Sequence, residues 1–317
     1  MPEIAFFHPW DHKFLINQTP SDSGAFTGYN FTFDRANESA DFCVVWGGLP
    51  ENMRSVKCSA RHFIYITDEA HYDRTFRQGF IDQFDAVITC RTDIRHARTI
   101  RTHELNIWHL PFSRDTLEKD QKLDKCKALS LVASDLTILT GHKKRYAFVN
   151  KLIGHFKDRL DVYGRGFNPV ANKWDALSDY KYSIAIENSA LPGYFTEKLS
   201  ECYLAECLPV YYGATDIDRY FAEEAMVNIN IDDFKASITT IEKLLEEDPY
   251  SHLRSGIIEQ KKTYLERYHL FPGLIRILQE HFTPSSGFRR KRILAEDRFD
   301  KYFLLKKVDK TFRRLLR

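Results

Sequence analysis

The stretch ENSALPGYFTEK, residues 187–198, joins two segments of opposite character. Before it, YSIAI (182–186) is apolar on both faces, as in a strand buried inside a parallel sheet. After it, apolar residues recur at helical spacing, namely Phe195, Leu199, Cys202 and Tyr203. Pro192 and Gly193 favour a turn between the two. The stretch therefore predicts a strand–loop–helix unit of an α/β fold.

The same alternation extends in both directions along the chain. Short apolar runs predict strands at 42–46, 62–66, 84–90 and 105–110, and again at 128–134, 160–166, 182–186 and 208–212. The charged segment 113–127 lacks apolar periodicity and predicts a linker. We therefore expect two doubly wound domains, 1–118 and 119–285, facing each other over a cleft, followed by a tail at 286–317.

Charge is unevenly distributed over the 317 residues. The net charge is +2, but residues 289–317 contain twelve lysines and arginines against four acidic residues, so the body is acidic. Six scattered cysteines without metal-ligand spacing favour reduced thiols in a cytosolic protein. No signal peptide or membrane-spanning run is recognisable, and we expect a cytoplasmic protein.

The loop 187–198 also predicts a binding site. Glu187 and Asn188 follow the strand, at the sheet edge where α/β proteins bind ligands. Thr196 is suited to cap the next helix, and the first-turn N–H groups together with Lys198 would attract an anion such as a diphosphate. Taken singly, each residue also fits a structural role, with Lys198 as a solvated charge and Asn188 as a turn residue. Their combination favours the site.

These residues resemble the signature of the GDP-fucose-dependent α1,3/4-fucosyltransferases of bacterial type. The shared features are an apolar strand, ENS, a short loop, YFTEK, a helix and the strand LPVYYG (208–213). A looser match extends from Val132 to Phe234. The resemblance implies a GT-B-like fold and an inverting transfer that needs no metal and no cofactor besides the donor substrate.

The resemblance also implies residue roles. Lys198 and an upstream arginine would hold the diphosphate, Glu197 would bind the ribose hydroxyls, and the remaining donor-pocket residues would be Glu187, Asn188, Ser189, Tyr194 and Thr196. The arginine is expected to be Arg165, in the turn YGRG, although a surface-turn arginine is an equal alternative.

A general base would come from the first domain, where the family carries a glutamate after a strand ending in Tyr-Thr-Gly. Here Asp68 stands in register with that glutamate and Glu69 follows it, so the resemblance leaves the base open between the two. As an alternative, an acidic pair at a strand end also suits a helix cap. The Thr-Asp-Glu departure from the family pattern leaves the donor sugar and acceptor open as well.

Two further segments bear on function. Asp216-Ile217-Asp218 has the DxD form of a metal motif, but its context favours a helix cap. The segment 288–317 alternates apolar and basic residues and predicts an amphipathic helix on an anionic membrane surface, with a partner helix or the body as alternatives. Nucleic acid is disfavoured because the body is acidic.

The predicted function is transfer of fucose from GDP-fucose to a surface-polysaccharide or lipopolysaccharide precursor at the inner membrane face. Alternatives are a related enzyme that uses another nucleotide sugar, and a non-catalytic nucleotide-sugar-binding protein docked to the membrane. A membrane-surface scaffold without a ligand is a further alternative.

Overall fold

A computed structural model describes residues 1–10, 12–35, 39–68, 74–119, 123–283 and 287–300. The strands are β1 Glu3–Phe7, β2 Ala25–Phe26, β3 Tyr29–Phe33, β4 Ala40–Trp46, β5 Ser55–Ile66, β6 Ala86–Thr89, β7 Thr99–Arg101, β8 Lys127–Val132, β9 Asp161–Tyr163, β10 Tyr180–Ile186, β11 Leu208–Tyr212, β12 Val227–Asn228 and β13 Arg289–Leu294. The α-helices are α1 His12–Ile16, α2 Gln78–Ile81, α3 Arg114–Leu117, α4 Thr140–Phe156, α5 Glu197–Leu204, α6 Phe234–Glu247, α7 Tyr250–Thr263 and α8 Leu270–His281.

The chain forms two compact units, each with its own sheet. Unit 1 comprises residues 1–16, 23–102 and 278–317, and unit 2 comprises residues 17–22 and 103–277. The predicted boundary at 118/119 therefore differs from the observed one at 102/103. The segment 113–127 lies inside unit 2, where Leu117 is fully buried in its core.

Unit 1 is built on an eight-stranded sheet. Seven strands follow the order β2-β3-β1-β4-β5-β6-β7, and β13 pairs with the first half of β5. All neighbours are parallel except β2–β3 and β5–β13. The strands β1 and β4 and the last four residues of β5 are buried at successive positions, as in a sheet covered on both faces. The carboxyl ends of the parallel strands thus share one edge.

Unit 2 is built on a five-stranded parallel sheet in the order β12-β11-β10-β8-β9. The chain runs from β8 through α4 to β9 on one side of β8, then crosses to β10 on the other side. Connections that diverge from neighbouring strands leave a crevice beyond the carboxyl ends of those strands. This switch point lies between β8 and β10, and β10 delivers Glu187 and Asn188 to it.

Several predicted strands are confirmed within a few residues, but 105–110 is wrong. Trp108 and its apolar neighbours are buried, as a strand would require. However, Asn106 makes a single β-bridge, to His269. Its side chain accepts hydrogen bonds from the hydroxyls of Ser200 and Tyr264 and donates one to the carbonyl of Phe195. Apolar runs alone do not distinguish a strand from a buried extended segment.

The predicted helical tail is also wrong over part of its length. Residues 289–294 form β13, antiparallel to β5, and Ile293 is fully buried in the core of unit 1. RRKRIL has four consecutive basic residues before Ile293, so the period of two that is typical of a strand is not visible in its sequence. Residues 301–317 lie outside the described residues, and the amphipathic helix stays a prediction for them.

Candidate functional site

Arg145 occupies the switch point of unit 2. It projects from α4 and is 6% exposed. Its Nη2 donates to Ser134 Oγ, after β8, at 3.1 Å, and its Nη1 donates to the side-chain oxygen of Asn188, after β10. One guanidinium thus spans the crevice between the two strand ends, and its planar fork of donors suits a phosphate.

Close backbone packing places α4 at the switch point of unit 2. A Cβ on Gly141, in the first turn of α4, would lie 1.9 Å from the carbonyl oxygen of Asn188. A Cβ on Gly164, at φ +114°, would lie 2.0 Å from the carbonyl oxygen of Ala133. Both contacts require glycine, so the helix and the β9 turn approach the strand ends more closely than a side chain would allow.

The N-terminus of α5 is occupied by a carboxylate of the chain itself. Thr196 caps the helix, with Oγ1 accepting from the Lys198 N–H. Glu187 is fully buried and accepts from the Thr196 N–H at 2.7 Å and from the Thr196 hydroxyl at 2.8 Å. Glu187 thus pairs with the residue that caps α5, and burial raises the pKa of its carboxyl group. Its contact with the donor stays a prediction.

Lys198 is fixed rather than extended into solvent. Its ammonium group lies 3.1 Å from Thr196 Oγ1, 3.3 Å from Glu197 Oε1 and 3.4 Å from Glu187 Oε2. Burial lowers its pKa, but the attraction of Glu197 and Glu187 outweighs burial, so the net pKa lies above the ordinary value. The side chain keeps 23% of its surface exposed. Lys198 is thus a permanently charged group that remains accessible to a ligand.

A second lysine completes the charge network. Lys173 Nζ lies 2.9 Å from Glu201 Oε2 and 3.5 Å from Glu197 Oε1. Glu201 is 2% exposed and also accepts from the His109 N–H at 2.5 Å. Burial would raise the pKa of Glu197, but Lys198, Lys173 and His109 hold that pKa well below its ordinary value. Glu197 is therefore an ionised acceptor at neutral pH.

These groups border one cavity of about 280 Å³ within unit 2. Its charged lining residues are Arg145, Arg165, Lys173, Glu197, Lys198 and Glu201. Apolar residues from β8 and β10, with Val170 and Leu177, form most of the remaining wall. An apolar pocket with a few convergent charged groups is the usual form of a small-ligand site.

Arg165 contributes to this cavity from its rim. Its side chain is 63% exposed and its Nε lies 3.3 Å from Asp135 Oδ1. Arg145 is the more buried of the two arginines and contacts Asn188 directly. The phosphate role of Arg165 stays a prediction, and the structure adds Arg145 as a second candidate.

The remaining predicted residues lie in the loop between β10 and α5. Tyr194 and Ser189 are 3% and 9% exposed, so their surfaces mostly face the protein. Their donor contacts stay predictions. Asp216 of the DxD-like sequence accepts from the Gly193 N–H at 2.6 Å and lies 3.6 Å from Arg219. It therefore anchors this loop rather than capping a helix by its side chain.

The candidate base lies in unit 1. Asp68 follows β5, is 8% exposed, and accepts from Arg74 Nη1 with both oxygens at 2.8 and 2.9 Å. Arg74 Nη2 in turn contacts Glu296 Oε2 at 2.8 Å. Burial raises the pKa of Asp68 more than Arg74 lowers it. Glu69 lies outside the described residues.

Sequence reasoning missed Arg145 and Lys173. A signal existed for Arg145, because it continues the buried stripe of α4 formed by Phe148, Val149, Leu152 and Phe156. A lone arginine in register with an apolar face must have a buried partner or a ligand. Lys173 gave no such signal, since it lies in a short 3₁₀ turn whose place is set by tertiary folding.

The described parts of the chain lack two features, a metal-binding cluster and a membrane-spanning helix. Within those ranges, no group of three or more His, Cys, Asp or Glu residues is arranged to hold a metal ion. No helix in the same ranges has both the length and the apolar character needed to cross a bilayer.

Residues 124–253 match the family model "Glycosyltransferase family 10 (fucosyltransferase) C-term". The chain is similar to the α-(1,3)-fucosyltransferase FucT of Helicobacter pylori, at 37% identity over 130 residues that make up 41% of this chain and 24% of that protein. It is also similar to the human 4-galactosyl-N-acetylglucosaminide 3-α-L-fucosyltransferase FUT6, at 35% identity over 35% of this chain and 31% of that protein. The chain thus spans about a quarter to a third of the length of these relatives.

The fold is similar to that of a solved α1,3-fucosyltransferase, with a TM-score of 0.52 and 18% identity over 86% of this chain and 92% of that one. This likeness confirms the predicted GT-B-like α/β fold class. The family match confirms the resemblance drawn from the ENS–YFTEK signature, and all the residues that line the cavity of unit 2 fall within the matched segment.

Proposed function

We propose that this chain, which carries the C-terminal domain of glycosyltransferase family 10 at residues 124–253, transfers fucose from GDP-fucose to a hydroxyl of a glycan acceptor. The carrying observation is the cavity of unit 2, in which Arg145 and Lys198 stand beside the ionised Glu197. The reaction is expected to invert the configuration at the anomeric carbon and to require no metal.

The two cations suit a diphosphate that leaves with an electron pair. When the bond between the fucose C1 and the phosphate oxygen breaks, negative charge on GDP increases. Cations already held in place stabilise this charge more than they stabilise the bound donor. Arg145 is held by Ser134 and Asn188, and Lys198 by Thr196 and two carboxylates, so neither needs to reorganise.

The charge and position of Glu197 favour a ribose bound next to the diphosphate. A carboxylate beside a phosphate site is repulsive unless its oxygens accept hydrogen bonds from hydroxyl donors. Lys173 and Lys198 keep Glu197 ionised, and an ionised carboxylate accepts more strongly than a neutral one. The two hydroxyls of a ribose are suitable donors.

The acceptor hydroxyl attacks C1 from the face opposite the departing phosphate, and its proton passes to a general base. We assign this base to Asp68, because it follows β5 in register with the family's glutamate and because burial raises its pKa, which improves its basicity. Glu69 is the second candidate. Since the human relative is named as acting on a 4-galactosyl-N-acetylglucosaminide, a galactosyl-N-acetylglucosamine unit is the proposed acceptor class.

A location at the cytoplasmic face of a membrane, with a lipopolysaccharide or other surface-glycan precursor as acceptor, is part of the same proposal. It rests on residues 301–317, which contain seven lysines and arginines against one aspartate, interspersed with apolar residues. Such a segment is attracted to anionic lipid and can bury its apolar residues in the headgroup region.

A thermal-shift panel of GDP, UDP, ADP and CMP tests the donor assignment. A ligand that binds the folded state alone stabilises it by about 2.7 kcal/mol at a concentration 100 times its Kd. We expect GDP to raise the Tm by several degrees and the others to raise it little. A second assay then tests the reaction. We expect labelled fucose to be transferred to N-acetyllactosamine, and we expect this transfer to persist in the presence of EDTA. A preference for another nucleotide, or GDP binding without any turnover, would overturn it.

A further inference from the structure

Unit 1 carries an exposed aromatic side chain next to the candidate base. Trp10 is 44% exposed, whereas most large apolar side chains of the described chain are buried. It follows β1, at the carboxyl edge of the sheet that also bears Asp68 after β5. An exposed tryptophan at a sheet edge where α/β units bind ligands is a candidate contact surface.

Gly47 joins the two side chains. A Cβ on Gly47 would lie 2.7 Å from Asp68 Oδ2 and 3.0 Å from Trp10 Cη2, so both groups border the same small space. The φ of +69° at Gly47 also excludes most other residues. The glycine therefore lets an indole edge and a carboxylate approach the same stretch of backbone closely.

Trp10 is held in place by its neighbours. Its ring stacks on His8 at 6.1 Å between centroids with an interplanar angle of 18°, and the backbone N–H of Trp10 donates to His8 Nδ1 at 3.2 Å. Trp46 packs against it at 4.5 Å between centroids. A rigid aromatic surface loses little conformational entropy when a ligand covers it.

A second, independent observation concerns Trp46. This residue is 5% exposed, and its indole N–H is buried without a hydrogen-bond acceptor among the described residues. Buried donors in proteins almost always have a partner, so one without a partner needs an explanation. This donor belongs to a side chain that packs directly against Trp10.

We propose that Trp10, Trp46 and Asp68 form an acceptor subsite that binds a pyranose ring. A pyranose presents C–H groups on one face and hydroxyls around its edge, so it matches an indole face bordered by a carboxylate. In this arrangement Trp10 carries the apolar face of the sugar and Asp68 receives the proton of its hydroxyl. The assignment rests on the proposed function.

Saturation-transfer NMR on the full chain with GDP present tests the subsite directly. The probes are N-acetyllactosamine, methyl β-galactoside and the methyl β-glycoside of N-acetylglucosamine. We expect signals from the sugar protons with the wild type, their loss in Trp10→Ala, and their retention in Trp10→Phe, which keeps a ring. In transfer assays, Trp10→Ala should raise the acceptor KM about tenfold and leave the KM of GDP-fucose unchanged.

Phe288→Ala is the matched control, because Phe288 is an equally exposed aromatic of unit 1 (47%) that packs on Arg61 rather than on Asp68. It should bind the sugars like the wild type. Absence of signals from every probe, or equal signals in Trp10→Ala, would overturn the subsite. Failure of GDP to bind would be seen separately by thermal shift, and it would count against the donor assignment, not against sugar binding by Trp10.

Discussion

Lys198 meets three oxygens of its own loop, so its charge is positioned before any ligand arrives. We predict that Lys198→Ala lowers kcat by about 10²–10³-fold, as removal of one preorganised oxyanion-hole donor does in a serine protease. Steady-state kinetics with GDP-fucose, with circular dichroism as a check of folding, measure this effect. Lys243→Ala, which removes an exposed lysine of α6, is the control. Activity within threefold of the wild type would contradict the diphosphate role.

The low pKa of Glu197 leads to a prediction about how the unfolding free energy depends on pH. Its pKa in the folded protein lies below that in the unfolded chain, which is about 4.3 for glutamate. Its stabilising contribution is therefore complete above about pH 5 and is lost as the pH falls toward the folded-state pKa. The unfolding free energy of the wild type should exceed that of Glu197→Gln at about pH 7 by more than at about pH 4. Urea denaturation at both pH values measures the two differences, and equal differences would contradict the ion-pair assignment.

At the scale of elements, α4 provides a matched pair of glycines. A Cβ on Gly141 would overlap the Asn188 carbonyl, whereas one on Gly154 would meet nothing within 4 Å. Gly154→Ala should stabilise the protein by about 0.5–1 kcal/mol through helix propensity. Gly141→Ala should destabilise it and weaken GDP binding, because α4 and Arg145 must shift.

Urea denaturation and GDP titration of both variants separate these effects. If Gly141→Ala were as stable as Gly154→Ala and bound GDP normally, close packing of α4 would not position Arg145. The measurement thus tests the placement of a helix rather than the chemistry of one side chain.

The same elements show what the sequence could predict. The unit around β10, the loop and α5 was predictable because apolar period, turn residues and cap agree over 182–203. The burial of Glu187 was not predictable, since its partner Thr196 is nine residues away and becomes its neighbour only when the loop closes. Likewise β13 has an exposed basic face and depends on β5, more than two hundred residues away, for its pairing.

For the whole molecule, the two βα-rich halves were predictable but their boundary was not. Composition marked 113–127 as a linker because it is charged, yet Arg114 is buried against Glu118 and the carbonyl of Leu265. Conversely, residues 278–300, from the far end of the chain, belong to unit 1. Among them Glu296 contacts Arg74, which lies beside Asp68. Such long-range recruitment leaves no local signal, because it depends on complementary surfaces rather than on period.

Charge asymmetry gives the prediction for the whole molecule. Residues 1–288 contain 34 basic and 40 acidic residues, whereas 301–317 contain seven basic residues and one acidic. We expect the full chain to sediment with vesicles containing phosphatidylglycerol, and deletion of 301–317 to abolish this binding. Each basic residue near such a surface contributes about 1 kcal/mol, and salt weakens the attraction. Vesicle sedimentation at low and high salt measures it.

The deletion begins after β13, so the shortened chain keeps Ile293 in the core of unit 1 and the contact of Glu296 with Arg74. The shortened chain should therefore retain its circular dichroism, its thermal shift with GDP and its transfer to soluble acceptors. Neutral phosphatidylcholine vesicles are the control, since they lack the charge that attracts the segment. Equal sedimentation of the full and shortened chains with anionic vesicles would show that residues 301–317 do not carry the membrane contact.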